Sequence, residues 1–352
     1  MGKSRPNSAT LIAFVLAGIL ALAPATGLAA SKKKTSHAKP VAAPVATSRQ
    51  QENGAPAIPP GLLQTVPEIP PDLAELPLVA KGATVVDCAT GQVLYGKNVD
   101  EAQYPASTTK IMTALLVIEA GNLDQEIDVT LDDSKVGESS LDIKPGDKFT
   151  RMQGLYGLML KSANDVAHAL GRDNAGSIEA FAEKMTQRAK ELGATNTHFA
   201  NPHGLHDIQH YTTPHDLALI ARAAMQQPLF RQIVSTQFHS WDIGPPGTAR
   251  QLRNHNRLLW AFPGCTGVKT GYTYPAQQVL VSAAHWGCRE VVAVVMHSEK
   301  PGILEDSRML LTWGLEREPQ PGGKAPTEPP PSVPVPAQTA ATAAAPATVI
   351  PK

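Results

Sequence analysis

The sequence predicts an α+β body whose antiparallel sheet is closed by strands from both ends of the folded segment. Three observations predict it: two β-rich runs open the segment, helical spacing fills its middle, and three strand-like runs precede a last helix. Ala83 to Cys88 and Gln92 to Tyr95 flank a turn containing Thr90-Gly91 and read as a hairpin. Ile111, Met112, Leu115, Leu116 and Glu119 recur at helical spacing, with Gly121 as the stop. Ser177 is placed to cap a helix whose inner face is Ile178, Phe181, Met185 and Leu192, ended by Gly193. Thr213-Pro214 opens another, with proline at the first helical position and Leu217, Ile220 and Ala224 turned inward. The late strand-like runs are Gly264 to Tyr272, Gln278 to Ala284 and Glu290 to His297, and Leu304 to Trp313 reads as the closing helix.

Composition assigns the ends of the chain a different character. The protein has 352 residues, 31 Lys+Arg against 31 Asp+Glu, and 31 prolines. Zero net charge argues against a nucleic-acid binder, which needs a basic excess. Residues 1–29 read as a secretory signal peptide: Lys3 and Arg5 precede the uncharged apolar run Leu11 to Ala23, with cleavage-type small residues ending at Ala25 or Ala29. The run is short for a membrane span, although retention as an anchor is the alternative that Lys32-Lys33-Lys34 leaves open. Removing this leader leaves 29 basic against 31 acidic residues. Residues 30–71 are a Lys-, Ala-, Pro- and Gln-rich linker, and residues 319–352 a Pro/Ala-rich tail; neither carries enough large apolar side chains to offset its ordering entropy. The body expected to fold is 72–318.

Three short motifs within that body carry chemistry. Ser107-Thr108-Thr109-Lys110 puts a serine and a lysine on one helix face, at a helix start where free N–H groups favour developing negative charge. A serine needs a nearby base to become a nucleophile, and lysine serves only if burial or a second cation lowers its pKa. The pattern alone is weak: Ser31-x-x-Lys34 and Ser36-x-x-Lys39 repeat it in the linker, and a capping serine beside a solvated lysine would look the same. Ser162-Ala163-Asn164 places a hydroxyl and an amide where both can face one cleft, Ser162 to relay a proton and Asn164 to hold a substrate amide or orient Lys110. As a simple turn it would need no further role. Lys269-Thr270-Gly271-Tyr272 lies in a strand-like run, where an extended peptide ending in a carboxylate can add as a further strand. Lys269 is also a candidate for the second cation beside Lys110.

Together and in this order, the three motifs resemble those of the penicillin-binding and serine β-lactamase superfamily. Asn201-Pro202-His203-Gly204-Leu205, His210-Tyr211-Thr212-Thr213, Asp216, Leu141 to Thr150, Asn254 to Leu259 and Gly264 to Thr273 extend the resemblance to the D-alanyl-D-alanine carboxypeptidase family, over roughly 72–318. The resemblance implies a β-lactamase/transpeptidase-like fold: a five-stranded antiparallel sheet flanked by helices, plus a helical subdomain, with the cleft between them. It implies Ser107 as the acylated nucleophile, Lys110 as the general base, and Ser162 and Asn164 lining the cleft and assisting proton transfer. Lys269 and Thr270 would bind the terminal carboxylate, Gly271 would allow close approach, and the N–H groups of Ser107 and Tyr272 would form the oxyanion hole. The implied substrate is the peptidoglycan stem peptide, with β-lactams as inhibitors, no cofactor, no nucleic acid and no stable membrane anchor. The implied location is the periplasm or cell-wall space. Departures are Ala163 where glycine is common, Ala276-Gln277 where Ala-Gly is frequent, and no strand-rich second domain or anchoring helix after 318.

The same residues would serve a D,D-endopeptidase cutting wall cross-links. A β-lactamase is disfavoured because no Glu-x-x-Leu-Asn segment falls between Ser162 and Lys269. A non-catalytic wall-binding module is the alternative that penicillin labelling separates from an enzyme. A metal site built from His198, His203, His206, His210 and His215, with Asp207 and Asp216 among them, is a further alternative, although Pro202, Gly204 and Pro214 argue for a loop. Of the three cysteines, Cys88 and Cys288, or Cys265 and Cys288, would come close in an antiparallel sheet; three free thiols is the other outcome.

Overall fold

The computed structural model of the protein describes residues 75–244 and 247–317. The leader, the linker and the tail expected from the sequence lie outside the described residues. In chain order the strands are β1 (Gly82–Asp87), β2 (Val93–Lys97), β3 (Glu126–Asp128), β4 (Lys148–Thr150), β5 (Phe238–Trp241), β6 (Arg250–Arg253), β7 (Cys265–Thr273), β8 (Gln277–Trp286) and β9 (Arg289–Ser298). The helices are α1 (Lys110–Ala120), α2 (Leu131–Ser134), α3 (Arg151–Tyr156), α4 (Asn164–Ala175), α5 (Ile178–Glu191), α6 (Pro214–Met225), α7 (Pro228–Ser235), α8 (Leu258–Ala261) and α9 (Gly302–Glu316).

The main sheet has five antiparallel strands in the order β2-β1-β9-β8-β7. The first and last strands of the body therefore meet, Val86 opposite Val292 and Ala83 opposite Val295. Its central strands are apolar on both faces, because both faces are covered. In β9, Val292, Val294 and Met296 enter one core with α1, α4, α5, α6 and α7, while Val291, Ala293 and Val295 enter a second core with Leu310, Leu311 and Trp313 of α9. This period-two partition is what a strand requires when both its faces are packed. The fold class is the expected one.

The helix signals act as read. Ser177 Oγ accepts from the Ala180 N–H, and Thr213 Oγ1 accepts from Asp216 with Pro214 at the first position. On α5 the buried face is Phe181, Ala182, Met185, Thr186 and Ala189; Ile178 and Leu192, expected inside, are half-buried because they sit at the two ends of the helix. No disulfide joins Cys88, Cys265 and Cys288. Burial instead pushes the Cys88 and Cys265 thiols up to about 12.

β7 is a sheet edge, and α1 begins beside it. The Ser107 turn lies where that edge meets the loops leading from the helical core.

Candidate active site

Ser107 sits in a 3-10 turn, Ala106–Thr109, directly before α1, and Lys110 is the first residue of that helix. The i, i+3 spacing brings Lys110 Nζ to 3.0 Å from Ser107 Oγ. Lys110 is fully buried, and its Nζ also contacts Asn164 Oδ1 at 2.7 Å and the His203 carbonyl at 2.6 Å. Burial, then the charge of Lys269, holds its pKa well below the ordinary lysine value, against the opposing pull of Asp165 and Glu138. Both conditions that the sequence demanded of a base are present. Solvation of this lysine, the bland alternative, is excluded by its zero exposure.

Asn164 opens α4, and both ends of its amide are engaged. Its Oδ1 takes Lys110, and its Nδ2 donates to the Gly137 carbonyl at 3.0 Å. Of the two roles open to it, the geometry matches the orienting one. Ser162 ends a π-helix, Gly157–Lys161, and is left-handed at φ 64° and ψ 33° with only 5% exposure. A π-turn followed by a left-handed residue is a local irregularity of the kind that gathers at functional sites. Here it turns the chain sharply between the apolar run and α4. Asp165, fully buried, accepts from Ser140 Oγ and from the N–H groups of Leu141 and Ile143, which fixes the loop above the cleft.

Across the cleft, Lys269 is 1% exposed on β7, and its Nζ donates to the Thr270 carbonyl at 2.8 Å. Burial lowers its pKa to about 7. Thr270 is half-buried and Tyr272 is 54% exposed. Gly271 comes so near the Ser107 turn that a Cβ there would lie 2.9 Å from Ser107 N and 3.1 Å from Thr108 N. A strand edge with its outer side unpaired thus passes immediately beside the serine, as an added peptide strand requires.

The segment from Asn201 to His210 forms the underside of the site. Asn201 Oδ1 accepts from the His203 and Gly204 N–H groups, which turns the His203 carbonyl toward Lys110. Gly204, at φ +87°, lies against the Ala106 carbonyl, where any Cβ would overlap it. Among the described residues no group of three His, Cys, Asp or Glu side chains is placed to hold an ion. His203 Nδ1 accepts from the Leu205 N–H, and both ring nitrogens of His210 are bonded inside the protein. His203, named in the sequence only as part of a matching motif, contributes through its backbone carbonyl, and Thr109, an apparent spacer within its motif, bonds His210 and Ala106.

Comparison with known proteins agrees with this architecture. The crystal structure of a Streptomyces DD-transpeptidase superposes with a TM-score of 0.66 at 33% identity, covering 70% of this chain and all of that one. The fold is therefore that of the penicillin-binding D,D-peptidases. A family model described as D-alanyl-D-alanine carboxypeptidase matches residues 71–300, and the chain belongs to that family of serine peptidases. Among curated relatives, a D-alanyl-D-alanine carboxypeptidase of Bacillus subtilis is 37% identical over 235 residues, 65% of this chain and 60% of the relative. One of Mycobacterium tuberculosis is 35% identical over 243 residues, 67% of this chain and 82% of the relative. The match thus spans about three-fifths of the first relative's length and about four-fifths of the second's.

Proposed function

We propose that the protein is a serine-type D-Ala-D-Ala carboxypeptidase that removes the terminal D-Ala from peptidoglycan stem peptides through an acyl-enzyme on Ser107. The observation that carries this reading is the environment of Lys110. A neutral amine has two N–H donors and one lone pair. Asn164 Oδ1 and the His203 carbonyl can only accept, so they consume the two donors. The lone pair is left facing Ser107 Oγ at 3.0 Å. That is the geometry of a base poised to take the hydroxyl proton.

In the proposed sequence, the stem peptide lies antiparallel along β7, and its terminal carboxylate meets Thr270 and the positive field of Lys269. Lys110 removes the Ser107 proton as Oγ attacks the carbonyl carbon of the penultimate D-Ala. The oxyanion is received by the N–H groups of Ser107 and Tyr272. The proton passes to the departing D-Ala nitrogen, with Ser162 beside its path, and the C–N bond breaks. Water then attacks the acyl-enzyme, giving its proton back through Lys110 to Ser107. A β-lactam, which mimics the D-Ala-D-Ala end, would acylate the same serine. No step calls for a cofactor.

Incubation of the full chain with diacetyl-Lys-D-Ala-D-Ala tests this. One D-Ala is expected per peptide, with no release from Ser107→Ala or Lys110→Ala. Cleavage of cross-linked dimers without D-Ala release would overturn it in favour of an endopeptidase. Residues 1–29 further suggest export to the periplasm or cell-wall space; among the described residues no helix is long and apolar enough to cross a membrane. The N-terminal sequence of the mature protein should begin after Ala25 or Ala29, and an intact Met1 on cell-associated protein would speak for a retained anchor.

A further inference from the structure

We infer that His210 is a positioning residue for the reaction, holding the Ser107 N–H aimed into the cleft through Thr109 and the Ala106 carbonyl. The inference rests on the reading of Ser107 as nucleophile and of its N–H as an oxyanion donor.

The argument begins with hydrogen-bond polarity. The Ala200 N–H can only donate, and it does so to His210 Nδ1 at 3.0 Å. That nitrogen therefore carries a lone pair, and in the neutral ring the proton sits on Nε2. Burial holds the His210 pKa down at about 3, so the ring is neutral at any working pH. Nε2 lies 2.7 Å from Thr109 Oγ1 and must donate to it. The Thr109 hydroxyl, with its oxygen so engaged, donates in turn to the Ala106 carbonyl at 2.8 Å. Each link has a single consistent direction: Ala200 N–H to His210, His210 to Thr109, Thr109 to Ala106. His210 is 2% exposed and Thr109 is 1% exposed, so no solvent competes for these bonds.

The end of this relay is the decisive point. The Ala106 carbonyl and the Ser107 N–H are opposite ends of one planar trans peptide. Fixing the oxygen on one side fixes the N–H on the other. The oxygen is pinned on the inner side by Thr109 and by the close approach of Gly204. The N–H faces the other way, toward Gly271 on β7. The peptide needs pinning, because Ala106 is left-handed at φ +48°, an unfavourable conformation for a residue with a Cβ. Without the relay, no hydrogen bond from Thr109 holds that peptide against rotation toward an ordinary conformation, which would swing the N–H out of the cleft. The family resemblance singled out His210 only as a matching position. The geometry gives it a task distinct from those of Ser107, Lys110 and Asn164: its ring nitrogens bond Ala200 and Thr109, and it acts on Ser107 at two removes.

Acylation of the full chain by a fluorescent penicillin, together with D-Ala release from diacetyl-Lys-D-Ala-D-Ala, tests the inference in Thr109→Val, Thr109→Ser, His210→Phe, His210→Gln and the double variant Thr109→Val/His210→Phe. Thr109→Val removes one hydroxyl at nearly constant volume, and it should lower the acylation rate and kcat on the order of 10-fold or more while leaving KM near that of the wild type. Thr109→Ser, which keeps the hydroxyl, and His210→Gln, which keeps a donor, should recover most of the rate. The double variant should be no slower than the slower single variant, since both act through one oxygen. Acylation of folded Thr109→Val at the wild-type rate would overturn the inference, as would losses that multiply in the double variant. Should His210→Phe fail to fold, Thr109→Val still decides. The outcome is separable from the functional reading: labelling that persists in Ser107→Ala would refute the nucleophile, whereas labelling at Ser107 undiminished in Thr109→Val would refute the relay alone.

Discussion

At the scale of single residues, the site turns on how Lys110 is surrounded. A fully buried ammonium is costly, and among the described residues no carboxylate is hydrogen-bonded to it; its partners there are neutral oxygens. Desolvation disfavours the charged form and pushes the pKa down. The direction of the pKa shift follows from desolvation first and from Lys269 second. In the proposed mechanism the base is the deprotonated amine, so acylation should rise as pH rises through the Lys110 pKa and fall away on the acid side, with the limb well below the ordinary 10.5. Lys110→Arg separates this from a purely electrostatic role. A guanidinium keeps the positive charge but stays protonated at every accessible pH. Acylation by penicillin is expected to fall by about 10²- to 10⁴-fold in Lys110→Arg throughout the neutral and alkaline range. Near-normal labelling with the arginine would show that only the charge matters.

At the scale of elements, the 3-10 turn before α1, the edge strand β7 and the loop Asn201–Leu205 meet around Ser107, each by close backbone approach. Gly271 is where β7 comes nearest. An alanine there would place its Cβ 2.9 Å from Ser107 N, against backbone rather than a flexible side-chain tip. Gly271→Val should therefore abolish penicillin labelling by pushing the edge strand away from the nucleophile, while the circular dichroism spectrum stays native. Rapid labelling of Gly271→Val would mean that the substrate does not pass between β7 and Ser107. Gly204 plays the matching part beneath the turn, where its φ of +87° and the Ala106 carbonyl exclude a side chain. α4 contributes differently: its first residue, Asn164, ties Lys110 to the Gly137 carbonyl, and its second, Asp165, ties down Leu141 and Ile143. Two adjacent residues thus link Lys110 to the loop above it.

At the scale of the whole molecule, β8 and β9 couple two cores through alternate side chains. The site draws its rigidity from the core on the helical side, while α9 covers the other face. Leu311 is fully buried in that second core. Leu311→Ala should cost about 2–5 kcal/mol of stability, read as a lowered urea midpoint, with no change in the acylation rate under native conditions. A parallel fall in acylation rate would show that the α9 face helps to shape the cleft. Closure of the sheet by the first and last strands of the body also means that its contacts are far apart in sequence, Gly82 lying opposite Met296. Folding of such a topology is expected to be slow.

Much of the fold was legible because its signals are local. The hairpin expected at 83–88 and 92–95 forms at Gly82–Asp87 and Val93–Lys97, and Ser177 and Thr213 cap the helices they announce. The short pairs β3–β4 and β5–β6 escaped notice, since three or four residues are too few to establish a period. The π-helix before Ser162 was hidden in an apolar run that suits any buried segment. The sequence by itself determined the class of the sheet, the order of the motifs and the residue types available for acyl transfer, because patterning and spacing express local physics. Only the tertiary structure decided that Lys110 is fully buried and bonded to a carbonyl 93 positions away, that Asn164 bonds it as well, and that His210 reaches Ala106 through Thr109. Burial and backbone hydrogen bonding across the fold have no signature in spacing, and they are what turn an ordinary serine and lysine into a candidate catalytic pair.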